Sequence, residues 1–233
     1  LDNAMQGIAL AKKLDHPISE AVGLWCLGMT HLFRGEPKEV LESAGALAEL
    51  AVERDFVQYT SWANTLSGWG RFETGDRSGG IAEIRQGIEG CHAIGSLSIT
   101  PYWLRLLAGM LSRGGQTEAS LEIIAEALSE IERSDERFWV PELLRFKGQL
   151  LLESDGAHGA EAEACFHQAI EVARSLNARS WELRAATSMA RLWHSQNKTD
   201  AARDLLQPVY DWFTEGFDTA DLKDAKEQLD SLA

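Results

Sequence analysis

Small residues recur in this chain at a fixed interval of 40 positions, and that rhythm limits what it can fold into. Gly28 lies inside "LWCLGMTHLFRGEP", a run that otherwise favours a helix, where glycine costs about 1 kcal/mol against alanine. Gly68 follows 40 residues later, Ala108 and Gly148 come at the same interval, and Ala190 comes 42 beyond that. Twelve residues after Gly68 and Ala108 stand Gly80 and Ser120, with Ala162 and Ala202 as the later equivalents. Seven further on are Gly87, Ala127, Ala169 and Val209. Four after each member of the second set comes a large apolar side chain: Ile84, Ile124, Phe166 or Leu206. A small side chain lets two helix backbones approach, and a large one beside it fills the remaining hole. The pattern therefore predicts stacked helix pairs. The first pair is imperfect, because Val40 and Leu47 occupy slots that are small elsewhere.

Turn signals separate the two helices of each pair: "RGEP" (34–37), "TGDRSGG" (74–80), "RGGQT" (113–117), "SDGAHG" (154–159) and "SQNKT" (195–199). Gly35, Gly75 and Gly115 keep the interval of 40, as helix-terminating glycines should. Pro17, Pro37, Pro101 and Pro141 open helices, whereas Pro208 falls inside one and should bend it. No strand alternation competes with this reading. The expected fold is all-α, a right-handed solenoid of antiparallel helix pairs forming a single helical-repeat domain over 1–233. The pairs span about 18–54, 56–94, 99–133, 138–176 and 179–214, with a capping helix at 219–232 and residues 1–14 as the remnant of a preceding pair.

Charge excludes several partners. The chain carries 22 basic and 36 acidic residues, a net of −14, which opposes both nucleic acid and anionic membranes. The two longest uncharged runs, 56–70 and 90–104, hold 15 residues each, too few to span a bilayer. Cys26, Cys91 and Cys165 are too scattered for a disulfide framework and read as reduced thiols of a cytoplasmic protein. The absence of a signal sequence fits that location, and the start within "LDNAMQGIALAKKL" reads as a piece of a longer protein.

The small–large–small pattern resembles the tetratricopeptide repeat, most clearly at Ala108, Leu111, Ser120, Ile124 and Ala127, and at Gly148, Leu151, Ala162, Phe166 and Ala169. The unit here is 40 residues rather than about 34, so the helices are longer. A second resemblance rests on "RFWVPELLRFKGQLLLES" (137–154), "AEACFHQAIEVARSLNARSWELRAATSMARLW" (162–193) and "WFTEGFDTADLKDAK" (212–226). These look like the C-terminal tail of large bacterial signalling proteins that join an adenylate/guanylate cyclase or other output domain to a STAND-type ATPase. The resemblance implies a regulatory tail, with ATP and Mg bound only by upstream domains. The chain itself has no phosphate loop ending in Gly-Lys-Ser/Thr and no paired aspartates in a cyclase-like context.

In tetratricopeptide arrays the first helix of each pair lines the concave face. With the small residues as phase markers, the lining is apolar toward the N-terminus, with Trp25, Met29, Trp62, Trp69, Phe72 and Tyr102. Toward the C-terminus it carries Arg105, Arg145, Arg184, Arg191 and His194. Aromatic side chains suit apolar anchors, and arginine forks suit carboxylate or phosphate. The expected partner is a protein or peptide, including the chain's own upstream domains, or a small anionic ligand. A homodimer is an alternative use of the aromatic end. Equally open is a structural role, with the tryptophans packed between long helices and Arg145 and Arg184 paired to Glu142, Glu182 or other acids. The acidic run 117–136 reads as a solvated convex face. No metal site is expected, because Cys91-His92 and Cys165-x-His167 lack ligand spacing. No catalytic residue can be nominated, and a hydrolase is a minor alternative.

Overall fold

Chain reversals come at a beat of 20 residues. Asp15, Gly35, Asp55, Gly75, Gly95 and Gly115 all hold positive φ, from 48° to 112°. Asn177 (53°) and Asn197 (62°) resume the beat two residues out of step. Each of these residues puts the chain into the left-handed region that stops a helix and turns it back. Glycine does this without strain, and Asp and Asn tolerate it better than other side chains. The computed structural model describes residues 1–134, 136–154 and 158–232, so residues 155–157 of the 154–159 turn and residue 135 of the acidic run 117–136 lie outside the described residues.

Between the turns the chain is helical, and the described residues contain no strand. The first compact unit, Leu1–Gly114, holds α1 (Asp2–Lys13), α2 (Pro17–Arg34), α3 (Pro37–Glu53), α4 (Val57–Glu73), α5 (Arg77–Ala93) and α6 (Thr100–Ser112). The second, Gly115–Ala233, holds α7 (Thr117–Ser134), a 3-10 turn (Arg137–Trp139), α8 (Val140–Ser154), α9 (Gly159–Ser175), α10 (Arg179–Ser195), α11 (Thr199–Asp211) and α12 (Ala220–Ser231). Local chemistry sets several starts. Pro17 and Pro37 open α2 and α3, and the Asp76 carboxylate accepts the Gly79 N–H (3.0 Å) at the start of α5. The helix α11 continues through Pro208 to Asp211.

In the first unit the closest approach joins α4 and α5. A Cβ on Gly68 would lie 2.5 Å from the Ile84 nitrogen and 2.8 Å from the Gly80 oxygen. One on Gly80 would lie 2.5 Å from the Gly68 oxygen, and one on Gly87 would lie 2.8 Å from the Ser61 oxygen. These are backbone atoms, so nothing can swing aside. Gly28 is a softer case than the sequence implies. Its nearest neighbours would be side chains, Leu66 Cδ1 on α4 at 2.9 Å and Ser43 Cβ on α3 at 3.4 Å. Val40, Leu47, Leu66 and Ile84 fill this unit's interior with no exposed surface.

In the second unit Gly148 of α8 makes room for the Phe166 ring of α9, whose nearest carbon would sit 2.6 Å from an added Cβ. The remaining ladder residues, Ala108 on α6 and Ala190 on α10, are fully buried. The last helix, α12, buries Leu222, Ala225 and Leu229 in the same core as α10 and α11, joined by Leu232 just after it, while Lys223, Asp224, Lys226 and Glu227 face out. It is thus apolar on one face and charged on the other, as a terminal helix of a stack must be. The chain is a tetratricopeptide-like all-α protein built from stacked antiparallel helix pairs. None of its described helices is long and apolar enough to cross a membrane.

Candidate binding groove

The second unit holds three of the four arginines predicted to recognise an anion, and each is met by an acid. Arg145 is buried. Its guanidinium forks onto Glu142 one turn earlier, with Nε and Nη2 donating to the two carboxylate oxygens at 2.7 Å each. Its Nη1 reaches Ser188 Oγ of α10 at 3.4 Å. Glu142 also lies 3.7 Å from Arg184 Nη1, and Arg184 Nε donates to Asp221 of α12 at 2.8 Å while the guanidinium covers the Trp181 ring. Arg191 donates to Asp224 of α12 at 2.7 Å, and His194 Nδ1 lies 3.4 Å from Ser231 Oγ. A relay of ion pairs therefore ties α8 to α10 and α10 to α12. Glu182, an alternative partner by sequence, instead accepts from Arg174 and Arg179 at 2.7 Å each.

These pairs differ in what they leave available. Arg145 and Glu142 are 9% and 1% exposed, so removing either would strand a buried charge. Arg145 is thus structural and turned inward, which replaces its expected place on a lining. Arg191 and Asp224 are 50% and 53% exposed, and a pair so wet is worth at most about 1 kcal/mol. Beside Arg191 a cavity of about 360 Å³ opens between α8 and α10. Leu152, Phe166 and Leu192 give it an apolar floor, and Gln149, Ser188 and Ser195 give it a polar rim that also carries the Glu153 carboxylate, opposite to Arg191 in charge.

In the first unit the predicted anchors separate into two groups. Trp25 and Trp62 are half-buried and stack across α2 and α4, with ring centroids 4.7 Å apart at 36°, and Tyr59 meets Trp62 edge-on at 5.4 Å. The buried Trp25 indole nitrogen finds no acceptor among the described residues. Trp69 on α4 and Arg105 on α6 are half-buried as well. Met29, Phe72 and Tyr102, however, are core residues, only 6%, 4% and 3% exposed. The Phe72 ring lies under the Arg113 guanidinium at 4.5 Å, and Arg113 in turn pairs with Glu73. Tyr102 packs on Phe33 at 5.5 Å. The long helices give these side chains partners inside the stack, so they do not line a groove.

The two buried thiols, Cys91 and Cys165, are poor nucleophiles, whereas Cys26 is exposed. Burial pushes Cys91 up to about 11 and raises Cys26 and Cys165 as well. Among the described residues no group of three or more His, Cys, Asp or Glu is placed to hold a metal ion. Sequence reading missed Asp221 and Asp224, whose partners lie 37 and 33 residues away on α10. The one local signal was the three-residue spacing of Glu142 and Arg145, which on a helix brings the two together.

Known proteins share this architecture. No family model matches the chain. An uncharacterized protein of Rhizobium meliloti (strain 1021) is 24% identical over 185 residues, which cover 79% of this chain and 18% of that protein. The chain thus spans under a fifth of that relative's length. Among solved structures, NprR in complex with its cognate peptide NprX superposes with a TM-score of 0.69 at 14% identity, covering 97% of this chain and 64% of NprR. The nearly identical TPR-like repeats of a "putative kinesin light chain" of Podosopora anserina, in a glutamine-to-methionine variant form, give 0.57 at 12% identity, covering 83% of this chain and 94% of their own. At such identities the likeness establishes the fold: stacked tetratricopeptide-like repeats.

Proposed function

We propose that this chain is a non-catalytic recognition module, and that the α8–α10 groove takes a peptide side chain together with an acidic group. The observation that carries the reading is the open cavity of about 360 Å³, with an apolar floor and an exposed arginine at its edge. An apolar side chain would settle on Leu152, which is half-buried at the mouth of the cavity. A carboxylate or phosphate would replace Asp224 on Arg191, an exchange of one wet ion pair for another at little cost. The peptide held by NprR supports a peptide as the class of partner. By the resemblance of its C-terminal third, the module belongs to a larger cytoplasmic signalling protein whose upstream domains bind ATP and Mg. Occupancy of the groove biases those domains only if it favours one of their states over another.

The test is fluorescence anisotropy with a library of labelled acidic hexapeptides, alongside small anionic metabolites. Arg191→Glu and Leu152→Asp should each weaken binding about tenfold or more, a change of about 1.4 kcal/mol. Unchanged affinity in both variants removes the groove from consideration. A spacer or dimerisation element is the second reading, favoured by Leu10 of α1 and Leu14 just after it, which are 56% and 66% exposed. Light scattering that returns a stable dimer supports it.

A further inference from the structure

The two helices that open the chain expose positions that every later pair buries. Gly7 on α1 stands 40 residues before Leu47 and 80 before Gly87, both buried, as are the later equivalents Ala127 and Ala169, yet Gly7 is exposed. Cys26 on α2 is exposed, while its equivalents Leu66, Leu106, Phe146 and Ser188 are all buried. Within α5 the covering element is known. A Cβ on Gly87 would strike Thr65 and the Ser61 carbonyl of α4, the first helix of the same pair. A Cβ on Gly7 would meet nothing within 4 Å. In its place, between α1 and α2, lies an open groove of about 550 Å³ lined by Ala4, Leu10, Leu14, Val22 and Gly23. It runs along three turns of α1, a length of about 17 Å.

We propose that this groove is the seat of one amphipathic helix, the first helix of a pair whose second helix is α1. The segment that supplies it is the one immediately upstream of residue 1 in a longer chain. Repeat register argues for this source over a foreign helix. α1 holds the second-helix position of a pair, with its small residue in phase, and α2 already turns toward the same groove the face that later pairs bury. The occupant presents a short side chain to Gly7, as α4 presents Ser61 and Thr65 to Gly87, and lays apolar residues on Leu10, Val22 and Cys26.

Cys26 reports on the seat, because Cys91 and Cys165 are buried and serve as internal controls. Maleimide labelling would compare the 233-residue chain with one extended upstream by its native segment of about 40 residues, one repeat unit of this chain. Cys26 should label readily in the shorter chain and about tenfold or more slowly in the longer one. Gly7→Trp should restore fast labelling in the longer chain without lowering the melting temperature of the shorter one, since a Cβ at Gly7 meets nothing there. If the longer chain does not fold, the upstream segment added as a synthetic peptide should protect Cys26. Undiminished labelling with the segment present overturns the proposal. So does protection in the 233-residue chain that grows with protein concentration, since a second copy would then hold the seat.

Discussion

Asn197 holds φ at 62° between α10 and α11, a conformation that side chains with a Cβ resist. Asn197→Ala should destabilise the protein by about 1 kcal/mol in urea denaturation, while Asn197→Gly should cost nothing or stabilise slightly. The difference between the two variants isolates the left-handed backbone from any lost side-chain contact. Glu36 sits at another turn, where it accepts from His31 Nδ1 at 2.7 Å and from Arg34 Nε at 2.8 Å. These bonds, His31 foremost, hold its carboxyl below the ordinary value of 4.5. Because the folded-state value is the lower one, the stabilisation is complete above 4.5 and drains away as pH falls through the folded value. Melting curves over a series of acidic pH values should show a shallower acid limb for Glu36→Gln than for the parent.

Helices in this chain are chosen more by what they pack against than by their own propensity. Four glycines lie inside α5 after its first turn is set by Asp76 — Gly79, Gly80, Gly87 and Gly90 — and alone such a helix would be poor. It persists because α4 lies close enough to replace the missing side chains with backbone contact. Gly68→Ala should therefore destabilise by about 3 kcal/mol, since the added methyl meets fixed backbone atoms. Gly45→Ala in α3, where a Cβ meets nothing within 4 Å, should stabilise by about 0.5–1 kcal/mol through helix propensity. Chemical denaturation of the two variants should move in opposite directions. The ladder was readable because steric crowding leaves a periodic mark: Gly68, Gly80 and Gly148 announce close approaches wherever they occur. The left-handed turns were readable only in part. Glycine at 35, 75 and 115 is unambiguous, and Asn197 lies in the turn signal 195–199, whereas Asp15, Asp55 and Asn177 look like ordinary surface residues until their backbone is seen.

At the scale of the molecule, a net charge of −14 governs which partners can approach. Titration with double-stranded DNA at low salt should give no retardation in a gel, the condition under which a phosphate-binding surface would show itself most strongly. The candidate site was less legible than the fold for a physical reason. Periodicity identifies which face of a helix a residue occupies, but not whether a neighbour already satisfies it. Phe72 and Tyr102 occupy the predicted register and are consumed by Arg113 and Phe33. Arg184 and Arg191 occupy it too, and α12 brings them Asp221 and Asp224 from a stretch of sequence with no matching rhythm.

The seam between α4 and α5 has a mechanical meaning. Two helices held apart by side chains can slide a little as rotamers change. At Gly68 and Gly80 only main chain meets main chain, so no intermediate setting exists and the joint behaves as a rivet rather than a bearing. Whatever flexing the first unit allows must be taken up by its other helix contacts.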